Sequence, residues 1–501
     1  MKSIFKAVAT VTIFSVITRM LGFFFRVFLS HKIGAMGLGL YQMATSILGI
    51  FMTLISSGLP LTTAKLVSKY EINKNFANRN KAVGSSLIIA LALACFSALI
   101  IFLLRNVWGF VLTDNRAVEI LIILIPSIIF NAIYAIFRGA LWGQHDYFNC
   151  GLTELIEQII RLVLTFIMLL NIKDIFVATK QSAIAFNLTC LCSALITIVI
   201  YIKRGRISFK KGEYKNVLKS AVPITGVRLA NSLVQPLTTL IIPTMLILSG
   251  YTSTEAVESV GVVMGMTFPM LFVPMAVIGS ISMVLIPSIS SMMAKNNYSE
   301  IQENIKSSLE VSIFISMLFI PLYLSVGDLI CVVLYNNQMS GAILKSSALC
   351  ILPITICNLS GSILNALNLE VKSFANYILG SLTLLVSLVV LTPLLGINAI
   401  TTSFFISMSV ISLLNLSKIK KAIPNLKFNL IKISFKYLLI ILPCSLLGSL
   451  IANICNHFLP AFFSCVIAGG TSILFTLILS NAFNLYKFNN LLNLIKRKRK
   501  T

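Results

Sequence analysis

The chain has 501 residues, of which 57% are hydrophobic and 11% charged, and its mean hydropathy is +0.95. This composition excludes a soluble enzyme and is typical of an integral membrane protein, since soluble domains carry about 25% charged residues. The formal net charge of +25 could suggest nucleic acid binding, but the placement of the basic residues argues against it.

Apolar segments along the chain predict an all-α polytopic membrane protein with about fourteen transmembrane helices. A spanning helix needs about 20 apolar residues, and the chain accommodates fourteen at roughly 36 residues per helix and loop. The predicted spans are residues 8–30, 38–59, 83–104, 117–138, 153–173, 181–202, 218–248, 259–287, 309–334, 343–367, 375–395, 397–415, 436–456 and 460–483.

Lys and Arg are distributed unequally between the two faces of these spans. Thirty of the forty fall on the face that carries both termini, six fall on the opposite face and four lie within spans. Because cytoplasmic loops are rich in Lys and Arg, we expect a multi-pass cell-membrane protein with both termini in the cytoplasm. The basic loop at Lys203–Lys211 and the tail at Lys496–Lys500 therefore indicate topology and contact with anionic membrane lipids, and nucleic acid is not expected as a partner.

Two arginines interrupt the first span. Arg19 lies about eleven residues, or about 16 Å, from either end, too far for its side chain to reach the membrane surface comfortably. Arg26 lies seven residues further on the same helical face, with Gly22 between them. Uncompensated arginine in a membrane costs at least about 2.5 kcal/mol, and guanidinium groups bind phosphate in a bidentate manner. We expect a hydrated cavity for a phosphate or pyrophosphate headgroup, with arginine bonded to carbonyls or ion-paired for structure as the alternative.

The fifth span begins with Glu154, Glu157 and Arg161, whose spacings of three and four residues place them on one helical face. Glu157 four residues before Arg161 is the favoured orientation for an ion pair within a helix. One interpretation is a structural pair that neutralises itself. The other is a proton or cation site that is coupled to transport.

An internal repeat predicts two lobes. The residues that recur at one constant offset are Pro126, Asn131 and Asn149, which match Pro353, Asn358 and Asn376. We predict two six-helix lobes, 1–210 and 211–420, around a central cavity, followed by two extra helices and a basic tail in 421–501. This arrangement favours a transporter that works by alternating access.

Predicted spans 7 and 8 carry an arginine and several prolines. Arg228 lies about ten residues into span 7, the counterpart of span 1, and we expect it to bind substrate together with Arg19 and Arg26. Proline removes a helix hydrogen bond and permits a bend, although a static kink is an equally good interpretation. The prolines predicted as hinges are Pro236, Pro243, Pro269 and Pro274.

Other kinds of chemistry are not expected. Ten cysteines without a CxxC motif and three histidines without an HExxH motif offer no metal site. The sequence contains no Gly-Lys dipeptide and hence no Walker A loop. We therefore expect no enzyme activity, no metal and no cofactor.

Several segments resemble a known family of membrane proteins. They are Thr18–Arg26, Gly34, Gly39, Tyr41 and Gly58–Pro60, and in the middle of the chain Ser249–Thr252, Gly261–Met266, Pro269, Pro274 and Ile286–Ser290. Together they resemble the family of stage V sporulation protein B, and the similarity covers essentially the full length. That family is similar to polysaccharide flippases and lipid II flippases in the multidrug/oligosaccharidyl-lipid/polysaccharide exporter superfamily.

The resemblance implies a fourteen-helix bundle that moves an undecaprenyl-pyrophosphate-linked glycan, usually a peptidoglycan precursor of sporulation, to the outer leaflet. It also implies that Arg19 and Arg26 line the cavity by motif, and that Arg228 does so by position. Enzymes of envelope synthesis are then candidate partners.

Two other functions stay open. A cation-coupled multidrug antiporter of the same superfamily usually places an acidic residue in span 1, where this chain has arginines. A non-transporting membrane protein of sporulation would tolerate loss of Arg19.

Overall fold

A computed structural model describes residues 2–203, 205, 207–209, 213–294, 298–423 and 430–483. These residues are almost all helical, and this part of the chain contains no β-strand. The loop residues Arg204, Arg206, Lys210 and Lys211 and the tail Lys496–Lys500, predicted to mark the cytoplasmic side, lie outside the described residues.

The chain divides into two compact units, Met1–Gly265 and Met266–Thr501. The helices of the first unit are α1 (Lys2–Ser56), α2 (Gly58–Ile72), α3 (Phe76–Leu103), α4 (Arg105–Leu112), α5 (Asn115–Gly143), α6 (Tyr147–Met168), α7 (Ile175–Ile202), α8 (Tyr214–Ser232), α9 (Val234–Leu248) and α10 (Ser253–Val260), before a π-helix at Gly261–Thr267. Those of the second unit are α11 (Phe268–Leu271), α12 (Met275–Ala294), α13 (Tyr298–Tyr335), α14 (Gln338–Ser346), α15 (Ile351–Ala366), α16 (Glu370–Leu395), α17 (Asn398–Ala422), α18 (Leu430–Phe458) and α19 (Ala461–Ala482). The predicted lobe boundaries near 210 and 420 stay predictions.

Ten helical stretches of the described residues are long and apolar enough to cross a membrane. Each of the fourteen predicted spans overlaps a helix or a series of short helices. The first two spans count as one stretch, Thr12–Ile72, because α1 continues through its break at Gly34. Three further predicted spans are not among the ten stretches. One corresponds to α6, which carries charged residues, and the other two are spans 7 and 8, which are interrupted. The multi-pass membrane class is thus confirmed, and the number fourteen stays a prediction.

Spans 7 and 8 are broken, and the predicted hinge prolines lie mostly at the breaks. Pro236 is in the first turn of α9, Pro269 is near the start of α11, and Pro274 immediately precedes α12, positions where a missing backbone N–H costs little. Pro243 lies in the interior of α9. Their role as hinges stays a prediction.

In the first unit, α5 lies at the centre and packs on α1, α2, α3 and α7. Because lipid tails are as apolar as Leu, helices in a membrane associate through close packing and interhelical hydrogen bonds. A Cβ on Gly139 would lie 2.5 Å from the carbonyl oxygen of Pro60, and one on Gly143 would lie 2.5 Å from that of Ala64. These glycines let α5 approach the backbone of α2.

In the second unit, α13 packs on α14, α15, α18 and α19. The Tyr323 hydroxyl donates to the carbonyl oxygen of Met270 at 2.7 Å. Asn376 donates to Asn415 at 2.9 Å, and Asn415 donates to the Ser360 hydroxyl at 3.2 Å. Polar side chains thus connect the helices of this unit.

Candidate functional site

The predicted substrate-binding arginines of α1 lie on a polar face of that helix. Thr12, Ser15, Arg19, Gly22 and Arg26 follow one another at spacings of three and four residues, which align them along one side. The apolar side chains that are 40 to 60% exposed lie roughly 120° away around the helix and are Ile13, Val16, Ile17, Met20 and Phe24. Arg19 and Arg26 are exposed, but they do not share the apolar face that suits lipid.

The two arginines differ in their partners. Within the described part of the chain, Arg19 makes no hydrogen bond or ion pair. Arg26 lies within electrostatic range of the Tyr41 hydroxyl and has a partner of its own. On this face, the charge of Arg19 is therefore not neutralised by any of the described residues.

Helices α6 and α1 pack side by side and run in the same direction. Three contacts define the register, and they are Phe14 with Phe148 at 5.6 Å between ring centroids, Gly22 with Gln158, and Phe28 with Phe166 at 5.5 Å. This register places Arg19 at the height of Glu154 and Glu157. The predicted arginine and carboxylate groups therefore lie at one depth of the same unit.

The structure pairs the charges of α6 in a way that the sequence reveals only in part. Glu157 accepts from Arg161 at 2.8 Å within α6, in the predicted orientation. Glu154 does not share Arg161, because it accepts from Arg138 of α5 at 2.5 Å. Each carboxylate thus has its own guanidinium group. Arg138 stands at the end of the predicted span 117–138, where a basic residue ordinarily indicates topology, so the sequence alone does not single it out.

Two polar atoms beside these pairs have no hydrogen-bond partner among the described residues. They are the hydroxyl of Tyr134, a residue that is 93% buried, and Nε of Arg161. The guanidinium of Arg161 also stacks over the Phe186 ring at 5.0 Å. A pattern that could have revealed Tyr134 is its position four residues before Arg138, on the same face of α5.

Arg228 lies in α8, which also belongs to the first compact unit. A Cβ on Gly58 would overlap Thr225 and lie 2.5 Å from the carbonyl oxygen of Ala221, so α8 packs on the start of α2. Arg228 is exposed and lies about one turn beyond Thr225. That Arg228 binds substrate together with Arg19 and Arg26 stays a prediction.

No group of three or more His, Cys, Asp or Glu residues that could hold a metal ion occurs among the residues described. The chemistry that the arrangement offers is electrostatic. The carboxylates are paired with Arg138 and Arg161, and the exposed guanidinium of Arg19 is unpaired among the described residues.

The chain is similar in sequence to known membrane proteins over most of its length. Residues 4–293 match the family described as polysaccharide biosynthesis protein. Stage V sporulation protein B of Bacillus subtilis (strain 168) is 24% identical over 451 residues, which cover 87% of this chain and 86% of that protein. The family resemblance stated from sequence motifs is therefore confirmed.

Solved structures share the fold. A lipid II flippase MurJ in an inward closed conformation has a TM-score of 0.71 and 17% identity, covering 94% of this chain and 98% of that chain. A MATE family multidrug resistance transporter of the MOP superfamily, in an inward-facing conformation, has a TM-score of 0.67 and 13% identity, covering 82% of this chain and 95% of that chain.

Proposed function

The chain belongs to the polysaccharide biosynthesis protein family, and from this premise we propose that it is an alternating-access flippase for a lipid-linked glycan. Its substrate is an undecaprenyl-pyrophosphate-linked peptidoglycan precursor for the spore cortex, which it moves from the inner to the outer leaflet of the cell membrane. The names of its relatives, a stage V sporulation protein and a lipid II flippase, support this assignment.

The unpaired guanidinium of Arg19 is the observation that carries the proposal. Arg19 lies on the polar face of α1 and has no partner among the described residues. A guanidinium group within the membrane is stabilised most by an anion, and its planar set of N–H donors matches two oxygens of a phosphate. A pyrophosphate headgroup fits this surface, and Arg26 and Arg228 supply further positive charge.

The pairing of the carboxylates of α6 also supports an anionic substrate. Glu154 and Glu157 are neutralised by Arg138 and Arg161. They therefore neither compete with a phosphate for Arg19 nor offer a free carboxylate to a cationic guest. We infer that the Glu157–Arg161 pair is structural and that the substrate is held by α1.

The rival function is multidrug antiport, which the shared fold with a MATE transporter allows. A cationic drug or a coupling cation needs a carboxylate, and α1 contains no Asp or Glu over its whole length. The polarity of α1 therefore favours an anionic substrate. A non-transporting role in sporulation is the remaining alternative, and it predicts that Arg19 is dispensable.

Transport in proteoliposomes tests the proposal. Purified protein is reconstituted, and the movement of a fluorescent pyrophosphate-linked polyprenyl glycan is compared with the uptake of a lipophilic cation. We expect movement of the pyrophosphate lipid and none of the cation. Uptake of the cation alone identifies an antiporter, and movement of neither substrate supports the non-transporting role.

A further inference from the structure

The turn between α5 and α6 carries two aromatic side chains at the surface of the first compact unit. Trp142, in the last turn of α5, is 40% exposed. Tyr147 begins α6, and its ring stands perpendicular to the indole ring, with 5.4 Å between the centroids and 87° between the planes. Because the rings are perpendicular and Trp142 stays exposed, the indole ring offers free apolar surface.

Hydrogen bonds hold the Tyr147 ring in place. The Tyr147 hydroxyl and Nδ1 of His145 form a hydrogen bond at 2.9 Å, and Nε2 of His145 forms one with the Ser68 hydroxyl of α2 at 3.3 Å. His145 has φ 60°, a left-handed conformation that a residue with a side chain keeps only where its surroundings determine it. A chain of contacts from α2 thus fixes Tyr147, which in turn packs against Trp142.

The indole N–H of Trp142 is available to a ligand. It donates to none of the residues that the structure describes. The other tryptophan of the chain, Trp108, differs in this respect, because its indole N–H donates to the carbonyl oxygen of Ile101 at 3.0 Å. Trp142 therefore combines an exposed apolar ring with one unused hydrogen-bond donor.

Trp142 lies close in depth to the charged groups of the same unit. It shares a face of α5 with Arg138 and follows it by one helical turn, or about 6 Å. Arg138 pairs with Glu154, and both side chains are about one third exposed. The register of α1 and α6 places this pair at the height of Arg19. Because the predicted topology puts the turn between α5 and α6 in the cytoplasm, Trp142 lies one turn to the cytoplasmic side of Arg19.

We propose that Trp142 and Tyr147 form a recognition site for a sugar ring of the lipid-linked glycan, which the carrier binds from the cytoplasm. This inference rests on the proposed flippase function and names the part of the substrate that this surface contacts. One face of a pyranose ring consists of C–H groups, and its rim carries hydroxyl groups. Such a ring packs on the exposed indole surface and accepts a hydrogen bond from the indole N–H.

The depth of Trp142 suits this ligand. In a pyrophosphate-linked glycan the first sugar is bonded directly to the pyrophosphate. A pyrophosphate at the height of Arg19 therefore leaves the sugars on its cytoplasmic side, where Trp142 lies.

The alternative role of Trp142 is to anchor the protein at the membrane surface, where tryptophan is common. An anchor needs only an exposed ring at the right depth. It does not need a chain of hydrogen bonds that fixes the neighbouring ring, whereas binding sites do hold their contact residues in place through such supporting contacts. The fixed position of Tyr147 therefore favours a binding site.

Binding of two short-chain lipids to the purified protein tests the site. The lipids are farnesyl pyrophosphate and farnesyl-pyrophosphate-linked N-acetylglucosamine, which differ only in the sugar. We expect tighter binding of the sugar-bearing lipid, and we expect Trp142→Ala to reduce this preference about tenfold, as the loss of an aromatic contact does at other binding sites. Trp142→Phe should keep part of the preference, because it retains an aromatic ring but loses the N–H donor.

The matched control is Phe148→Ala. Phe148 is 57% exposed in the same turn, and its ring packs on Phe14 of α1 instead of Trp142. We expect this variant to keep the preference for the sugar-bearing lipid. If Trp142→Ala keeps it as well, the sugar site is wrong. If both variants weaken the binding of both lipids equally, Trp142 is a membrane anchor and the proposal is overturned.

A second measurement leaves Trp142 intact and covers the case in which Trp142→Ala does not accumulate. Trp108→Phe makes Trp142 the only tryptophan of the chain, so that its fluorescence is observed alone. We expect its emission to change when the sugar-bearing lipid is added and to stay constant with farnesyl pyrophosphate. The same response to both lipids, or no response to either, contradicts the sugar site.

The tests of the sugar site and of the flippase fail separately. If the preference for the sugar-bearing lipid depends on Trp142 but the reconstituted protein moves no pyrophosphate-linked glycan, the sugar site stands and the proposed transport is wrong. If the glycan is moved and the protein binds both short-chain lipids equally, the flippase stands and the sugar site is wrong.

Discussion

At the scale of single residues, the guanidinium of Arg19 separates an anion carrier from the other functions. Arg19→Ala removes the unpaired charge of the polar face, and we expect it to abolish movement of the pyrophosphate lipid while protein abundance stays normal. Arg19→Lys should restore part of the activity, because Lys keeps the charge but loses the planar fork. Met20→Ala, on the exposed apolar face of the same helix, is the control. Full activity of Arg19→Ala is incompatible with an anion-binding surface on α1.

The Glu157–Arg161 pair makes a separate prediction about stability. Both side chains are about one fifth exposed, so Glu157→Gln leaves a largely buried guanidinium without its carboxylate. We expect the free energy of unfolding in detergent to fall by about 1.5 to 3 kcal/mol. Adding Arg161→Leu should recover part of this loss, because no charge is then left unpaired.

A matched pair near the surface serves as the control for that measurement. Glu119 and Lys180 form an ion pair whose carboxylate is half exposed, so Glu119→Gln should change the free energy of unfolding by less than about 1 kcal/mol. Transport is measured in the same variants. Activity that survives in the Glu157→Gln, Arg161→Leu double variant identifies a structural pair, whereas its loss indicates ion coupling at Glu157.

At the scale of the elements, the break in α1 depends on Gly34. Its φ of 62° and ψ of −173° lie in a region that only glycine occupies readily. We expect Gly34→Ala to lower the free energy of unfolding by about 1 to 3 kcal/mol. Gly49→Ala, in the helical part of α1, should raise it by up to about 1 kcal/mol, because Ala favours the helix. Chemical denaturation in detergent checks both, and equal effects would show that α1 is not broken at Gly34 in the membrane.

At the scale of the whole molecule, the distribution of basic residues predicts the topology. Single cysteines at Lys203 and Lys420 should be labelled by an impermeant maleimide only from the cytoplasmic side. Cysteines at Tyr251 and Asn398 should be labelled only from outside. The fourteen-span arrangement places these two sets of positions on opposite sides of the membrane. Labelling of both sets from one side would therefore show that this arrangement is wrong.

The sequence alone was enough to predict the membrane class, the helical segments and the helical face that Arg19 and Arg26 share. Hydropathy and the helical repeat are local properties, so they also predicted the contact of Glu157 with Arg161 four residues later. The same holds for the family, since its motifs are short runs such as Thr18–Arg26.

Tertiary structure decided the contacts between residues that are distant in sequence. Glu154 binds Arg138 of α5 and leaves Arg161 to Glu157, a choice that depends on which helix lies beside α6. A Cβ on Gly39 would overlap the carbonyl oxygen of Val257, which stands more than two hundred residues further along the chain, and Gly39 by itself predicts only a packing position. Local periodicity determines which face of a helix a residue occupies, but only the packing of helices determines what that face meets, because contact energies join residues through space and not along the chain.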